Sequence, residues 1–303
     1  MPTRVVFMGS PEFALPSLRA IAKAYDITGV VTQPDRPAGR GKQLTPPPVK
    51  TLAQELGLPV IQPSRLREPE AMSQLRDWAP DLIVVAAFGQ ILRQEMLDLP
   101  PHGCINVHAS LLPRWRGASP IQAAILAGDA ETGVTITRMD KGLDTGPILS
   151  QRAISIAADD TAGTLSDRLA VLGADLLIET LPQYISGDLK PIPQPENGIS
   201  TTSLLTKAEG LLETNQIAEV LARKVRAFNP WPGAYILWKN QALKIHRAHV
   251  ASGFAAPGKL SIHNGLPAIG TAFKLLVVDE LQPAGKKSMS GVEFLRGTRQ
   301  WSD

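Results

Sequence analysis

The stretch RVVFMGSPEFALPSLRAIAKAYDITGVVT, residues 4–32, sets the fold at the start of the chain. Its apolar runs at 4–8 and 27–32 predict two strands, and the amphipathic stretch at 15–25 between them predicts a helix. A strand, a helix and a strand in this order favour a parallel pair of strands. The first turn reads FMGSPEFA and not G-x-G-x-x-G, which removes the main support for a nucleotide-binding dehydrogenase.

The same alternation continues through the first 190 residues. Further strands are predicted at residues 81–87, 104–109 and 134–139, and further helices at residues 48–56 and 70–79. A long helical pattern after Asp160 closes this part of the chain. Because several of the strands are apolar on both faces, we expect an α/β, Rossmann-like fold: a mostly parallel sheet with helices on both faces.

The composition of the sequence changes at Lys190. Residues 190–203, KPIPQPENGISTTS, are rich in proline and polar residues and predict an extended linker. Ile217, Leu221, Val225 and Phe228 then fall at helical spacing, and the prolines of NPWPG (229–233) end that helix. Short strands are predicted at residues 234–238, 242–250, 258–262 and 273–281. They favour a small OB-like β-barrel, so we expect domains at 1–189 and 207–303 with a linker at 190–206.

Composition limits the class of protein. The 303 residues favour two domains, and no apolar run is long enough to span a membrane. The single cysteine, Cys104, excludes an internal disulfide and fits a reducing cytosol, so we expect a cytoplasmic protein. Residues 204–303 carry 13 Lys and Arg against 7 Asp and Glu, whereas residues 1–203 carry 18 against 21. The basic part favours a polyanionic partner, although a merely solvated surface explains the charge equally well.

The stretch GCINVHASLLPRWRG, residues 103–117, carries the first candidate chemistry. Residues two apart in a strand share a face, so Asn106 and His108 project together. An amide can donate to an oxyanion, and an imidazole can relay a proton near neutral pH. A satisfied core histidine beside a polar strand end is the alternative, with equal weight at this point. Cys104 alternates onto the same face, and we interpret it as a packed small hydrophobe.

Two loops add context to this strand. Residues 110–117, SLLPRWRG, follow the strand at the place where open parallel sheets bind ligands. Asp144 lies in a second loop, bracketed by Gly142 and Gly146. A carboxylate near His108 would fix the tautomer of its ring and stabilise the charged form. Taken alone, however, a Gly-Asp-Gly loop is more often an ordinary turn.

Residues 103–117 and 133–147, taken together, resemble the signature of folate-dependent formyltransferases and hydrolases. The resemblance implies a catalytic triad of Asn106, His108 and Asp144, with 10-formyltetrahydrofolate as co-substrate and no metal. It also implies two folate-binding loops. Their residues are Ser110, Leu111, Leu112 and Pro113 in the first, and Phe88, Gly89, Gln90, Ile91 and Leu92 in the second.

Three further features resemble the members of this superfamily that formylate tRNA. The loop QPDRPAGRGKQLTPPPVK, residues 33–50, is similar to their tRNA-facing insertion and implies tRNA contacts by Arg36, Arg40 and Lys42. The basic barrel implies contacts to tRNA phosphates. Residues 227–235 and 281–291 look like carboxy-terminal motifs of the same proteins. The resemblance thus implies a monomeric enzyme, not bound to a membrane, that formylates the amino group of initiator methionyl-tRNA.

Other functions stay open from the residues alone. A formyltransferase for another amine, or a formyl-folate hydrolase, would share the triad but would have no use for the basic loop and barrel. A non-catalytic tRNA-binding protein would share the barrel but would have no use for the triad.

Overall fold

The structure is a computed structural model that describes residues 2–38, 43–298 and 301. By its internal contacts the chain divides into two compact units. Unit 1 comprises Met1–Gly117, Thr132–Ile154 and Ser166–Thr202, and unit 2 comprises Ala118–Glu131, Ser155–Leu165 and Ser203–Asp303.

Unit 1 is built on a seven-stranded sheet. In chain order its strands are β1 (Arg4–Gly9), β2 (Asp26–Val31), β5 (Val60–Ile61), β6 (Leu82–Ala86), β7 (Cys104–His108), β9 (Glu131–Arg138) and β10 (Ile148–Ser155). Four short strands lie outside this sheet: β3 (Arg36–Ala38), β4 (Gln43–Thr45), β8 (Arg116–Gly117) and β11 (Thr201–Thr202). The spatial order is β10-β9-β7-β6-β1-β2-β5. The pairs from β7 to β5 are parallel, and β9 runs antiparallel to β7. The predicted mostly parallel sheet is confirmed.

Helices follow the strands as the sequence predicted. They are α1 (Leu15–Ala24), α2 (Pro48–Glu55), α3 (Pro69–Asp77) and α6 (Ala162–Ser186); a further short helix, α4 (Gln94–Leu97), was not predicted. The strand β6 is buried along its whole length. Its side chains Ile83 and Val85 pack with Leu75 of α3 and Met96 of α4 in one apolar cluster. Burial on both faces of the central strands explains their uninterrupted apolar sequence.

Several short elements of unit 1, and the longer edge strand β10, were not predicted from the sequence. Strand β10 was not predicted because it is the edge strand of the sheet and alternates between buried or half-buried residues and exposed ones. The short strands β3 and β4 are paired antiparallel to each other within the segment that the sequence predicted as a basic loop.

Unit 2 contains an antiparallel sheet. Its strands are β12 (Ala234–Trp238), β13 (Gln241–Ala251), β14 (Leu260–His263), β15 (Leu266–Gly270), β16 (Leu275–Gln282) and β17 (Met289–Ser290), and its helices are α5 (Pro120–Ala127), α7 (Ala218–Ala227) and α8 (Gly291–Arg296). The order is β12-β13-β16-β15-β14, with β17 on β16. Leu221 and Val225 of α7 pack with Phe294 of α8 in the core of this unit. The antiparallel sheet confirms the predicted barrel-like domain.

Among the residues that the structure describes, no helix is both long enough and apolar enough to cross a bilayer.

Candidate active site

Strand β7 presents the amide and the imidazole at its carboxyl end. His108 is buried with 6% of its side chain exposed, and Asn106 is half-buried. Their neighbours Ile105 and Val107 point to the other face, where both are buried. The antiparallel strand β9 pairs Asn106 with Thr137 and His108 with Thr135. Both polar side chains are therefore held by paired backbone.

The loop between β9 and β10 brings Asp144 to these two side chains. Asn106 Nδ2 donates to Asp144 Oδ1 at 3.3 Å, and Asp144 Oδ2 lies 3.6 Å from His108 Nδ1. The backbone N–H of Gly117 donates to the same Oδ2 at 2.8 Å. Asp144 has φ of 52°, a left-handed conformation that a non-glycine residue adopts at some cost. A Cβ at Gly146 would lie 2.0 Å from the carbonyl oxygen of Arg138, so this turn requires glycine there.

A backbone carbonyl fixes the state of the histidine ring. His108 Nε2 lies 3.0 Å from the carbonyl oxygen of Trp115. A carbonyl can only accept, so Nε2 carries a hydrogen. In the neutral ring Nδ1 then has the lone pair, and this nitrogen faces Asp144. The arrangement provides a base at Nδ1 and a carboxylate to stabilise the cation that forms when Nδ1 gains a proton.

The first predicted folate loop, Ser110–Pro113, is anchored by internal hydrogen bonds. Ser110 is fully buried, and its hydroxyl donates to the carbonyl of Arg114 at 2.6 Å. The hydroxyl of Thr135 donates to the carbonyl of Ser110 and accepts from the N–H of Leu112. Leu112 and Pro113 are buried, and Leu111 is half-buried. These bonds hold the loop that carries the Trp115 carbonyl.

The second predicted folate loop, Phe88–Leu92, has both buried and exposed residues. The side chains of Phe88 and Leu92 belong to the apolar core, whereas Gly89 is exposed and Ile91 has 84% of its surface exposed. Gln90 accepts from the N–H of Leu66 and donates to the carbonyl of Pro63. A cavity of about 620 Å³ lies beside Gln90 and Ile91. Its lining also includes Arg65, Arg67 and Arg93.

An ion pair connects the two ends of the basic loop. Lys50 of α2 donates to Asp35 at 2.8 Å, and Gln62 donates to the same carboxylate at 2.7 Å. The hydrogen bond from Gln62, followed by that from Lys50, lowers the pKa of Asp35. Arg36 donates to Gln33 at 3.1 Å. The other two predicted tRNA contacts, at positions 40 and 42, lie outside the described residues.

Comparison with protein families covers almost the whole chain. The Formyl transferase family matches residues 3–181, and the Formyl transferase, C-terminal domain family matches residues 204–299. The chain belongs to the formyl transferase family.

Several named proteins are similar to this chain along nearly their full length. The chain is 49% identical to the methionyl-tRNA formyltransferase of Myxococcus xanthus, covering 97% of this chain and 95% of the relative. It is 48% identical to that of Halorhodospira halophila, covering 99% and 97%. An N-formyltransferase from Helicobacter canadensis has a similar fold, with a TM-score of 0.65, 19% identity and coverage of 92% of this chain and 99% of that one.

Several polar groups that surround the cluster of Asn106, His108 and Asp144 were not predicted from the sequence. Gln194 donates to the carbonyls of Asp144 and Gly146, both at 2.8 Å, and accepts from Arg116 at 2.7 and 3.0 Å. The Trp115 carbonyl and the Gly117 N–H are backbone groups, whose direction no side-chain pattern reveals. Gln194 lies between two prolines in the predicted linker, and nothing in that local pattern marks it.

Cys104 belongs to the core of the sheet and not to the polar cluster. It has 1% of its surface exposed and packs in the same apolar cluster as Ile83 and Met96. Burial, and to a lesser degree the charge of Asp98, raises the pKa of the Cys104 thiol to about 12. The thiol therefore stays protonated at neutral pH, as a packed small hydrophobe would.

Proposed function

We propose that the protein transfers the formyl group of 10-formyltetrahydrofolate to the amino group of initiator methionyl-tRNA. The observation that carries the proposal is the cluster of Asn106, His108 and Asp144 at the carboxyl end of β7. The substrate is supported by relatives 46–49% identical along nearly their whole length that are named methionyl-tRNA formyltransferase. Residues 1–189 would carry the chemistry and residues 207–303 would bind tRNA, joined by the linker 190–206, in a monomeric cytoplasmic enzyme.

His108 moves the proton in this reaction. The neutral amine attacks the formyl carbon, a carbon–nitrogen bond forms, and the attacking nitrogen must lose one proton. His108 Nδ1 has the lone pair to accept it, because Nε2–H is donated to the Trp115 carbonyl. Asp144 Oδ2, 3.6 Å away, stabilises the resulting imidazolium. The ring then returns the proton to the folate nitrogen as the bond between that nitrogen and the formyl carbon breaks.

Asn106 stabilises the negative charge that develops on the formyl oxygen. One N–H of its amide is directed to Asp144 Oδ1, and an amide nitrogen carries a second hydrogen that can be donated to an oxyanion. Because Asn106 is half-buried, a substrate can reach its amide from solvent.

The described residues fit a folate. Exposed Gly89 and Ile91, together with half-buried Gln90, offer backbone groups to the polar edge of a pterin ring. Beside them, the cavity of about 620 Å³ is lined by three arginines, which suit the carboxylates of the glutamate tail. The loop Ser110–Pro113 would hold the folate on the side of His108.

Two basic regions fit a tRNA. The basic loop carries Arg36, Arg40 and Lys42, and Asp35 and Lys50, near its two ends, form a salt bridge. Residues 204–303 carry 13 basic against 7 acidic side chains, which favours attraction to phosphates. An enzyme that formylates a small amine would need neither feature.

Steady-state formyl transfer to initiator methionyl-tRNA tests the proposal. The wild type is compared with His108→Ala, with Arg40→Ala and with Glu196→Ala, an exposed linker control. We expect His108→Ala to lower kcat by roughly 10²–10⁴-fold and Arg40→Ala to raise KM for tRNA alone. Wild-type protein that formylates no methionyl-tRNA would contradict the substrate, and full activity of His108→Ala would contradict the base.

A further inference from the structure

We propose that residues 192–202, expected from the sequence to be a linker, form a positioning segment of the active site. This inference rests on the proposed function, because its kinetic readout is formyl transfer. The segment contacts the two loops that determine the placement of His108 and Asp144. Its residues belong to unit 1, whose last segment ends at Thr202.

The burial pattern distinguishes the anchoring residues from their neighbours. Most of residues 192–201 are exposed, whereas Gln194 and Ser200 are half-buried, as is Thr202. At its start, Ile192 forms a two-way backbone bridge with Ile148 of β10. The segment is thus paired by backbone hydrogen bonds at its start, and β11 pairs with β8 at its end, whereas a flexible linker would be paired at neither end.

Gln194 fixes the loop that carries Asp144. Its Nε2 donates to the carbonyls of Asp144 and Gly146, both at 2.8 Å, and its Oε1 accepts from Arg116 at 2.7 and 3.0 Å. One side chain thus joins the aspartate loop to the loop after β7. Since Asp144 has a left-handed backbone with φ of 52°, this turn needs outside contacts to hold it in place.

Ser200 and Thr202 fix the loop after β7. The N–H of Trp115 donates to Ser200 Oγ at 2.9 Å, and the N–H of Arg116 donates to the Ser200 carbonyl at 2.9 Å. Strands β8 and β11 continue this contact as a parallel pair. A Cβ at Gly117 would lie 2.2 Å from the Thr202 carbonyl oxygen, so the two backbones approach as closely as only glycine allows.

The backbone groups that this segment holds in place set the tautomer of His108 and the orientation of Asp144. The Trp115 carbonyl accepts from His108 Nε2, and the Gly117 N–H donates to Asp144 Oδ2. Anchoring of residues 115–117 by the positioning segment therefore selects the Nε2–H tautomer and keeps the carboxylate facing Nδ1. None of the residues of the positioning segment has to touch substrate for this effect.

The test uses Gln194→Ala, Gln194→Glu, Ser200→Ala and Ser200→Thr, with Asn197→Ala as the matched control. Asn197 is an exposed amide in the same segment. Gln194→Glu retains the acceptor for Arg116 but removes both N–H donors to the loop carbonyls. If the hydrogen bonds to the loop carbonyls position Asp144, Gln194→Glu lowers kcat at least as much as Gln194→Ala does. Ser200→Thr retains a hydroxyl and restores what Ser200→Ala loses.

Two readouts separate positioning from folding or binding. Formyl transfer is measured with the thermal midpoint of each variant as a check on folding, and ¹⁵N chemical shifts of the His108 ring report its tautomer without any turnover. We expect Gln194→Ala, Gln194→Glu and Ser200→Ala to lower kcat by roughly 10- to 100-fold with both KM values unchanged. Ser200→Ala also raises the share of the Nδ1–H tautomer, and Ser200→Thr and Asn197→Ala match the wild type.

Three results would overturn the inference. They are a kcat within twofold of wild type for folded Gln194→Ala and Ser200→Ala, a raised KM for tRNA with unchanged kcat, and an unchanged tautomer in Ser200→Ala. Absence of formyl transfer by the wild type would instead count against the proposed function, and the ring tautomer would still report on the positioning segment.

Discussion

Replacement of Asp144 by asparagine tests the electrostatic role of the carboxylate with minimal change of shape. Both carboxylate oxygens are in use: Oδ1 accepts from Asn106, and Oδ2 accepts from Gly117 and faces His108 Nδ1 at 3.6 Å. Asparagine has only one oxygen, so its amide nitrogen must face one of these donors. A buried donor without an acceptor costs about 1–3 kcal/mol of stability.

The loss of charge has a larger effect on catalysis. At 3.6 Å, an imidazolium and a carboxylate attract each other by about 4–5 kcal/mol at an effective dielectric constant of about 20. This attraction exists only when His108 holds the proton, so its loss raises the barrier. At about 1.4 kcal/mol for each tenfold change in rate, Asp144→Asn lowers kcat by roughly a thousandfold.

Asp140→Asn provides a control from the same loop. Gly142 N–H and the Thr145 hydroxyl both donate to a single oxygen, Asp140 Oδ1, so an amide oxygen in that place keeps both bonds. The assay is formyl transfer at saturating concentrations of both substrates, and we expect this control to stay within a few-fold of wild type. A folded Asp144→Asn variant that retained kcat within tenfold would refute the role of the carboxylate.

Three other variants and treatments test separate parts of the site. Asn106→Ala removes the oxyanion donor, and we expect kcat to fall by roughly 10²–10³-fold in the same assay; a loss of less than threefold would contradict this role. Arg65→Ala with Arg67→Ala removes two of the three arginines of the cavity, and we expect KM for 10-formyltetrahydrofolate to rise by roughly tenfold or more, with KM for tRNA unchanged; an unchanged KM for the folate would place its tail elsewhere. The thiol of Cys104, with its pKa raised from 9.0 to about 12, has roughly a thousandfold less thiolate at pH 8 in the folded state than in the unfolded one. Iodoacetamide should therefore label it only in denaturant, and rapid labelling of the native protein would contradict the burial. Because the folded pKa is raised, the stabilising contribution of this buried neutral thiol is present below about pH 9 and is lost between there and about pH 12.

The sequence predicted those parts of the fold that depend on local pattern. Apolar runs such as 81–87 became buried strands because the central strands of the sheet are covered on both faces. Strand β10 lies at the sheet edge, where few buried positions leave little apolar signal. Strand β15 contains Pro267, a residue that argues against a strand, yet it pairs on both sides in unit 2.

The candidate site was predictable to a different degree at each residue. The shared face of Asn106 and His108 followed from alternation along one strand. The approach of Asp144 followed only from the family resemblance, since spacing alone cannot place a loop 36 residues further along the chain beside His108. Gln194 and Ser200 could not be predicted, because their role comes from tertiary hydrogen bonds made by a segment with no periodic pattern.

The measurement that tests the central claim most directly is the identity of the product. The wild-type protein is incubated with 10-formyltetrahydrofolate and either initiator methionyl-tRNA, elongator methionyl-tRNA or methionine methyl ester, and the released amino acid is examined by mass spectrometry. We predict N-formylmethionine from initiator methionyl-tRNA, at a rate well above that from the other two amines. Consumption of the folate with no N-formylmethionine from any of the three would contradict the account and would identify a hydrolase or a formyltransferase for another amine.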